Sequence, residues 1–177
     1  DDRDCGGARR REGKAREGSG DIRGAVKAYR RVARQDARFV VETLEPLKRC
    51  YESLSQQSEW LAYLREQSDQ QTLPAVQVAL ARESEPAEGV ALLASYLSST
   101  PSWTAFNHLL ELNQSELPAT LAAPLQTLHG ALRATLASAP LYACQHCGFA
   151  GRAIHWQCPS CRHWASMIPV SDAAKPA

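Results

Sequence analysis

The sequence lacks a dominant charge: 20 Lys and Arg stand against 19 Asp and Glu over 177 residues, a formal +1. Near-balance excludes a global drive toward nucleic acid or an anionic membrane. No apolar run approaches the ~20 residues needed to cross a bilayer, and no secretory leader opens the chain. Neither a nucleophile–base pair nor a phosphate-cradling glycine loop can be picked out, so catalysis is not expected. The alternation that marks strands is missing from residues 38–137. With 44% hydrophobic and 22% charged residues, the chain is an ordinary globular one rather than a disordered one.

Charge is distributed unevenly. Residues 1–34 hold eleven Lys or Arg and six Asp or Glu, a local +5, which reads as a solvated helix face. The opening "DDRDCGGARRREGKAREGSG" has no apolar periodicity, as if the chain were entered partway through a longer architecture.

What is present is helical spacing. Val40, Leu44, Leu47, Tyr51 and Leu54 form one stripe; Leu73, Val76 and Leu80 form another, and Val90, Leu93 and Leu97 a third. Trp103, Phe106 and Leu110 continue the pattern, followed by Leu121, Leu125, Leu128, Leu132 and Leu136. Helix-ending stretches such as "SQQS", "ESEPAEG", "SSTPS" and "NQSELP" separate them. Short helices joined by short loops predict antiparallel hairpins, here at about 9–34, 38–69, 73–98 and 102–137. Ala25 with Tyr29, and Gly89 with Leu93 and Pro101, sit at tetratricopeptide (TPR) offsets. A TPR-like array is favoured over a generic bundle, and stacked hairpins would present a surface to another protein. Pro124 either occupies the first turn of the last helix or kinks it.

Cysteine is nearly absent from this body. Cys5 and Cys50 are isolated, while four others form Cys144-x2-Cys147 and Cys158-x2-Cys161. Two tight turns of this kind, facing each other, make a tetrahedral four-thiolate cage. Gly148 follows the first pair, where a left-handed backbone is cheap for glycine. No Asp or Glu lies between 141 and 168, while Arg152 and Arg162 add +2, so a loaded cage of charge −2 is balanced. Disulfides and a thioredoxin-like redox motif are the weaker readings, because the chain is not a small loop-rich one and no βαβ pattern surrounds the pairs. Four protein sulfurs leave no open position for hydrolysis. Zinc and iron both suit such a site. His146, His155 and His163 are expected at the surface or in packing. Among the aromatics, Tyr142 and Trp164 flank the cysteine pairs, placed either to pin the knot to the helices or to fill its own core, and the core is the favoured place for Trp156.

"YACQHCGF" and "WQCPSCRHW", after helical repeats such as "GDIRGAVKAYRRVARQD" and "TPSWTAFNHLLEL", resemble the C-terminal part of the lipopolysaccharide assembly protein B family. The resemblance implies a mainly α fold: a TPR-like antiparallel hairpin array with a small C-terminal rubredoxin-like four-cysteine knuckle. It divides the chain into a poorly patterned edge (1–20), repeats (21–140), a rubredoxin-type metal-binding module (141–168) and a flexible tail (169–177). Cys144, Cys147, Cys158 and Cys161 become the ligands of one iron or zinc ion. Arg162 stands where general rubredoxin-like knuckles carry a second glycine.

The same resemblance implies a non-enzymatic adaptor that regulates lipopolysaccharide biosynthesis. Its implied partners are the membrane protease FtsH, the lipid A deacetylase LpxC and lipopolysaccharide assembly components. Its implied place is the cytoplasmic side of the bacterial inner membrane, through an N-terminal anchor outside this soluble fragment. A homo-oligomer is among the assemblies this allows. The alternative from another class is a zinc ribbon that binds nucleic acid through Arg152, Arg162 and the aromatics. Only two firm cations in the knot, and a largely acidic helical body, weigh against it.

Overall fold

The computed structural model describes residues 5–113 and 118–170. Sequence readings for residues 1–4, 114–117 and 171–177 lie outside the described residues. Among those described, the chain forms eight α-helices, a 3-10 turn and three short strands. It folds as two compact units: one runs through Tyr63 and includes Pro140–Val170, and the other holds Leu64–Ala139. No helix of the described residues is long and apolar enough to cross a membrane.

The first unit begins with α1 (Cys5–Gly18) and α2 (Ile22–Gln35). Within the segment read as poorly patterned, residues 5–18 are helical, although their composition is strongly polar. Glu12 explains part of this, since it takes Arg9 at 2.8 Å and Arg16 at 3.1 Å, three and four residues away on the helix. Docking explains the rest. At Gly13 an added Cβ would stand 2.5 Å from the Tyr29 ring, so only glycine lets α1 approach α2 this closely. Asp21 caps α2 by accepting from the Gly24 N–H at 3.0 Å. Ala25, Ala28, Tyr29, Val32 and Ala33 then form one buried stripe, and burial of a side chain the size of Tyr29 or Val32 is worth roughly 1.5–3 kcal/mol.

A 3-10 turn (Ala37–Val40) leads into α3 (Val41–Ser53), which buries Leu44, Leu47, Cys50 and Tyr51. α4 (Gln57–Gln70) follows, and its Trp60 stacks on Tyr63 at 5.9 Å and tilts against Tyr51 at 6.0 Å.

In the second unit α5 (Pro74–Glu83) and α6 (Pro86–Ser99) each start with a proline, whose fixed φ suits a first turn and whose missing N–H is no loss there. α7 (Trp103–Leu112) is capped by Ser102, which accepts from the Ala105 N–H. α8 (Ala119–Ser138) completes the unit. Val78, Ala81, Leu93, Tyr96 and Ala105 make its core. Gly89 sits where a Cβ would meet the Ala81 carbonyl at 2.7 Å, so the small residue noted in the sequence allows α5 and α6 to touch. α8 starts upstream of Pro124, which therefore lies in the helix interior rather than its first turn and leaves the Thr120 carbonyl without its usual donor.

Candidate metal centre

The four cysteines are carried by a three-stranded antiparallel sheet in the order β2-β1-β3: β1 (Tyr142–Cys144), β2 (Ala150–Gly151) and β3 (Met167–Pro169). Tyr142 pairs with Gly151 on one side and with Pro169 on the other, and Cys144 pairs with Met167. Strands this short have no core of their own. What fixes them is a pair of matching turns.

The Gly148 N–H donates to the Cys144 carbonyl at 3.0 Å, and the Arg162 N–H to the Cys158 carbonyl at 2.9 Å. Next, the Cys144 N–H bonds the Phe149 carbonyl and the Cys158 N–H the His163 carbonyl. Each cysteine pair thus sits in the same hydrogen-bonded turn. Both turns need a left-handed residue after the second cysteine: Gly148 has φ 76° and Arg162 φ 59°. The glycine substitution noted in the sequence therefore changes the residue and keeps the backbone. Gln157 Nε2 supports it by donating to the Arg162 carbonyl at 3.1 Å.

The turns face each other. Cys144 Sγ lies 3.7 Å from Cys161 Sγ, and Cys147 Sγ 3.7 Å from Cys158 Sγ. All four sulfurs fall within 4.8 Å of one another, and all four are free thiols. A tetrahedral centre with metal–sulfur bonds of about 2.3 Å requires sulfurs about 3.8 Å apart, so the residues fit a single thiolate-bound ion. Cys144 and Cys158 are buried, and Cys147 is exposed.

Polar groups surround the sulfurs. Ser166 Oγ lies 3.3 Å from Cys144 Sγ. That contact, with backbone N–H groups of Cys147 and His146, holds the Cys144 thiol down to about 6 against the cost of burial. The Phe149 N–H likewise keeps Cys147 below its usual value. For Cys161 the His163 N–H favours the thiolate, but burial and the three neighbouring sulfurs outweigh it and push the thiol up to about 12. Sulfurs this crowded cannot all ionise without a cation among them.

The structure redistributes the aromatic roles. Tyr142 is buried with Cys144, Cys158 and Met167 in the core of the knuckle, Phe149 packing against them, and does not pin it outward. Trp164 is 72% exposed and pins nothing. Trp156, expected in that core, instead lies 6.1 Å from Phe39 of the 3-10 turn, so the contact to the helices belongs to it. Trp164 forms an isolated bridge with Gln157, and β3 runs along the 3-10 turn. Ser166, Met167 and Phe39 were not singled out in the sequence. Only their nearness to the cysteines could have flagged the first two, and nothing local marks Phe39. His146 and His163 are exposed and stacked at 3.6 Å, as surface residues.

Comparison with known proteins agrees with this geometry. A family profile described as a rubredoxin metal binding domain matches residues 142–169. Over 156 residues, 85% of its length, the chain is 31% identical to lipopolysaccharide assembly protein B of Escherichia coli (strain K12). It is 30% identical over 158 residues, 86% of its length, to the protein of the same name from Haemophilus influenzae. The chain spans 40% of the length of either relative.

Proposed function

With this chain placed in the lipopolysaccharide assembly protein B family, we propose that it is a non-enzymatic adaptor in lipopolysaccharide assembly. Its helical hairpins, read as TPR-type repeats, grip a protein partner, and the four-cysteine module fixes the shape of the unit to which it belongs. Cys144, Cys147, Cys158 and Cys161 are the proposed ligands of one zinc or iron ion. When bound, the ion supplies a four-point cross-link. The residues do the remaining work: Ser166 and the backbone N–H groups stabilise thiolates, Gly148 and Arg162 set the turns, and Trp156 carries the module onto Phe39.

The observation behind this reading is the sulfur cage itself. Four protein donors close the coordination sphere, which suits a structural site and not a hydrolytic one. At the finer level, the proposed role is control of the lipid A deacetylase LpxC through the protease FtsH, on the cytoplasmic side of the inner membrane. Two measurements test it. Metal analysis with an absorption spectrum should find one ion per chain, coloured if iron and colourless if zinc. The tagged chain should recover the protease or the deacetylase from solubilised Gram-negative membranes, and Cys144→Ser should recover less. Recovery of neither by the unaltered chain would refute the adaptor role.

A further inference from the structure

Beside the cage stands a second group of metal-ligating side chains. His146, Cys161 and His163 bring two ring nitrogens and a sulfur within 4.8 Å of one another. The imidazoles lie face to face, with centroids 3.6 Å apart and planes at 19°, and both are exposed. Cys161 is half-buried at the edge of the knuckle's core.

The cage holds both histidine backbones in place. The His146 N–H faces Cys144 Sγ, and the His163 N–H faces Cys161 Sγ. The His163 carbonyl also accepts from the Cys158 N–H at 2.9 Å and from Ser166 Oγ at 3.0 Å. The backbone is therefore preorganised, while each exposed ring can turn about a soft final torsion. That freedom matters, because stacked rings aim their nitrogens side by side and a shared ion needs them to converge. With bonds of about 2.0–2.1 Å to nitrogen and 2.3 Å to sulfur, a tetrahedral ion sets its donors about 3.3–3.6 Å apart. Rotation of the two rings reaches that spacing without moving the chain.

Donor chemistry selects the ion. Imidazole with thiolate suits a borderline divalent ion such as zinc, not calcium or magnesium, which take oxygen ligands. A thiolate sulfur keeps lone pairs beyond the one given to the cage ion, so Cys161 can bridge two ions. Charge acts in the same direction. One divalent ion leaves the four thiolates net negative, and that charge sits on the sulfur an incoming cation would touch.

We propose that His146, His163 and Cys161 form a second, exchangeable site for a zinc-class ion, joined to the cage through the Cys161 sulfur. Three protein donors leave its fourth position to water, whereas the cage is closed by four. Fewer ligands and exposed rings make it the weaker site. The chain as purified therefore keeps one ion and takes the second only when free zinc is supplied. The proposal rests on the four-cysteine cage being loaded.

The test uses the whole 177-residue chain without a tag, loaded with one equivalent of zinc and titrated calorimetrically with more. One additional equivalent should bind, and a chelator weaker than the cage should remove it alone. His146→Ala with His163→Ala should lose the second equivalent and keep the first. His155→Ala, at an exposed histidine outside the cluster, should keep both. In NMR spectra the ring signals of His146 and His163 should move with the second equivalent, while those of His155 stay. No second equivalent, or one that survives in the double variant, would overturn the site and leave the rings as a surface stack. Loss of the first equivalent in the double variant would make the histidines ligands of the cage ion, and would overturn it as well. The cage and this site also fail distinguishably. A chain that binds one ion and no more retains the cage alone, whereas a chain that binds none loses both.

Discussion

Arg162 occupies, in the second cysteine turn, the left-handed backbone position that Gly148 holds in the first, at φ 59° against 76°. An arginine there carries a steric cost of roughly 1–2 kcal/mol that glycine avoids, offset partly by the greater chain entropy glycine loses on folding. Arg162→Gly should therefore stabilise the module by about 1 kcal/mol, and Gly148→Ala should destabilise it by a similar amount. Chelator-induced unfolding would show the two changes moving in opposite directions. A loss of stability in Arg162→Gly would mean that the arginine side chain contributes more than its backbone costs.

Removing the metal tests the cage as a folding element. Structural four-ligand sites carry ~10–16 kcal/mol of apparent binding free energy, far beyond what three short strands supply. Strong chelation should therefore unfold residues 141–168 while the far-UV helical signal largely survives. Cys144→Ser should reproduce this without chelator, whereas Cys50→Ser should leave metal content unchanged. Collapse of the whole helical signal would instead show one cooperative unit.

The contact between Phe39 and Trp156 is one hold of the module on the rest of its unit, beside the run of β3 along the 3-10 turn. Phe39→Ala should cost about 0.5–1.5 kcal/mol from the lost ring pair, beyond the area it uncovers. Trp156 emission should shift to the red, with metal content intact. An unchanged emission spectrum in the variant would show that the pair contributes nothing to docking.

The sequence made the cage legible because its information is local: spacing within a turn decides where sulfurs point. The helices were legible for the same reason, through stripes such as Leu44, Leu47 and Tyr51, which α3 buries. What escaped is non-local. Trp156 and Trp164 look alike in sequence, and only the folded chain sets one against Phe39 and leaves the other in water. α1 escaped because its stability comes from Glu12 pairs and from Gly13 against Tyr29 rather than from an apolar stripe. Arg162 was noticed as an exception, but its φ could not be read from its name.

Two glycines separate propensity from packing. Alanine favours a helix interior over glycine by about 0.8–1 kcal/mol. Gly130 has nothing within 4 Å of an added Cβ, so Gly130→Ala should stabilise the chain by about that amount. Gly13→Ala should do the reverse, losing roughly 1–3 kcal/mol as the Cβ meets the Tyr29 ring. Urea melts of the two variants would display opposite signs for one chemical change. A stabilised Gly13→Ala would mean that α1 shifts freely on α2.

Glu111 sets the expected response to acid. Its carboxylate lies 2.9 Å from His108 Nδ1 and 3.7 Å from His129 Nε2, which ties α7 to α8. Burial raises its pKa, but hydrogen bonds from His108 and Asn107 outweigh that and hold it below the ordinary 4.5. Because the folded value is depressed, the unfolded chain binds more protons in this window, and stability rises with pH there. The contribution is present above about 4.5 and lost as pH falls through the lower folded value. Thermal melts of the unaltered chain and Glu111→Gln should therefore converge as pH falls from about 5 toward 3. A gap that persists unchanged at the acid end would assign the effect to packing of the side chain rather than to its charge.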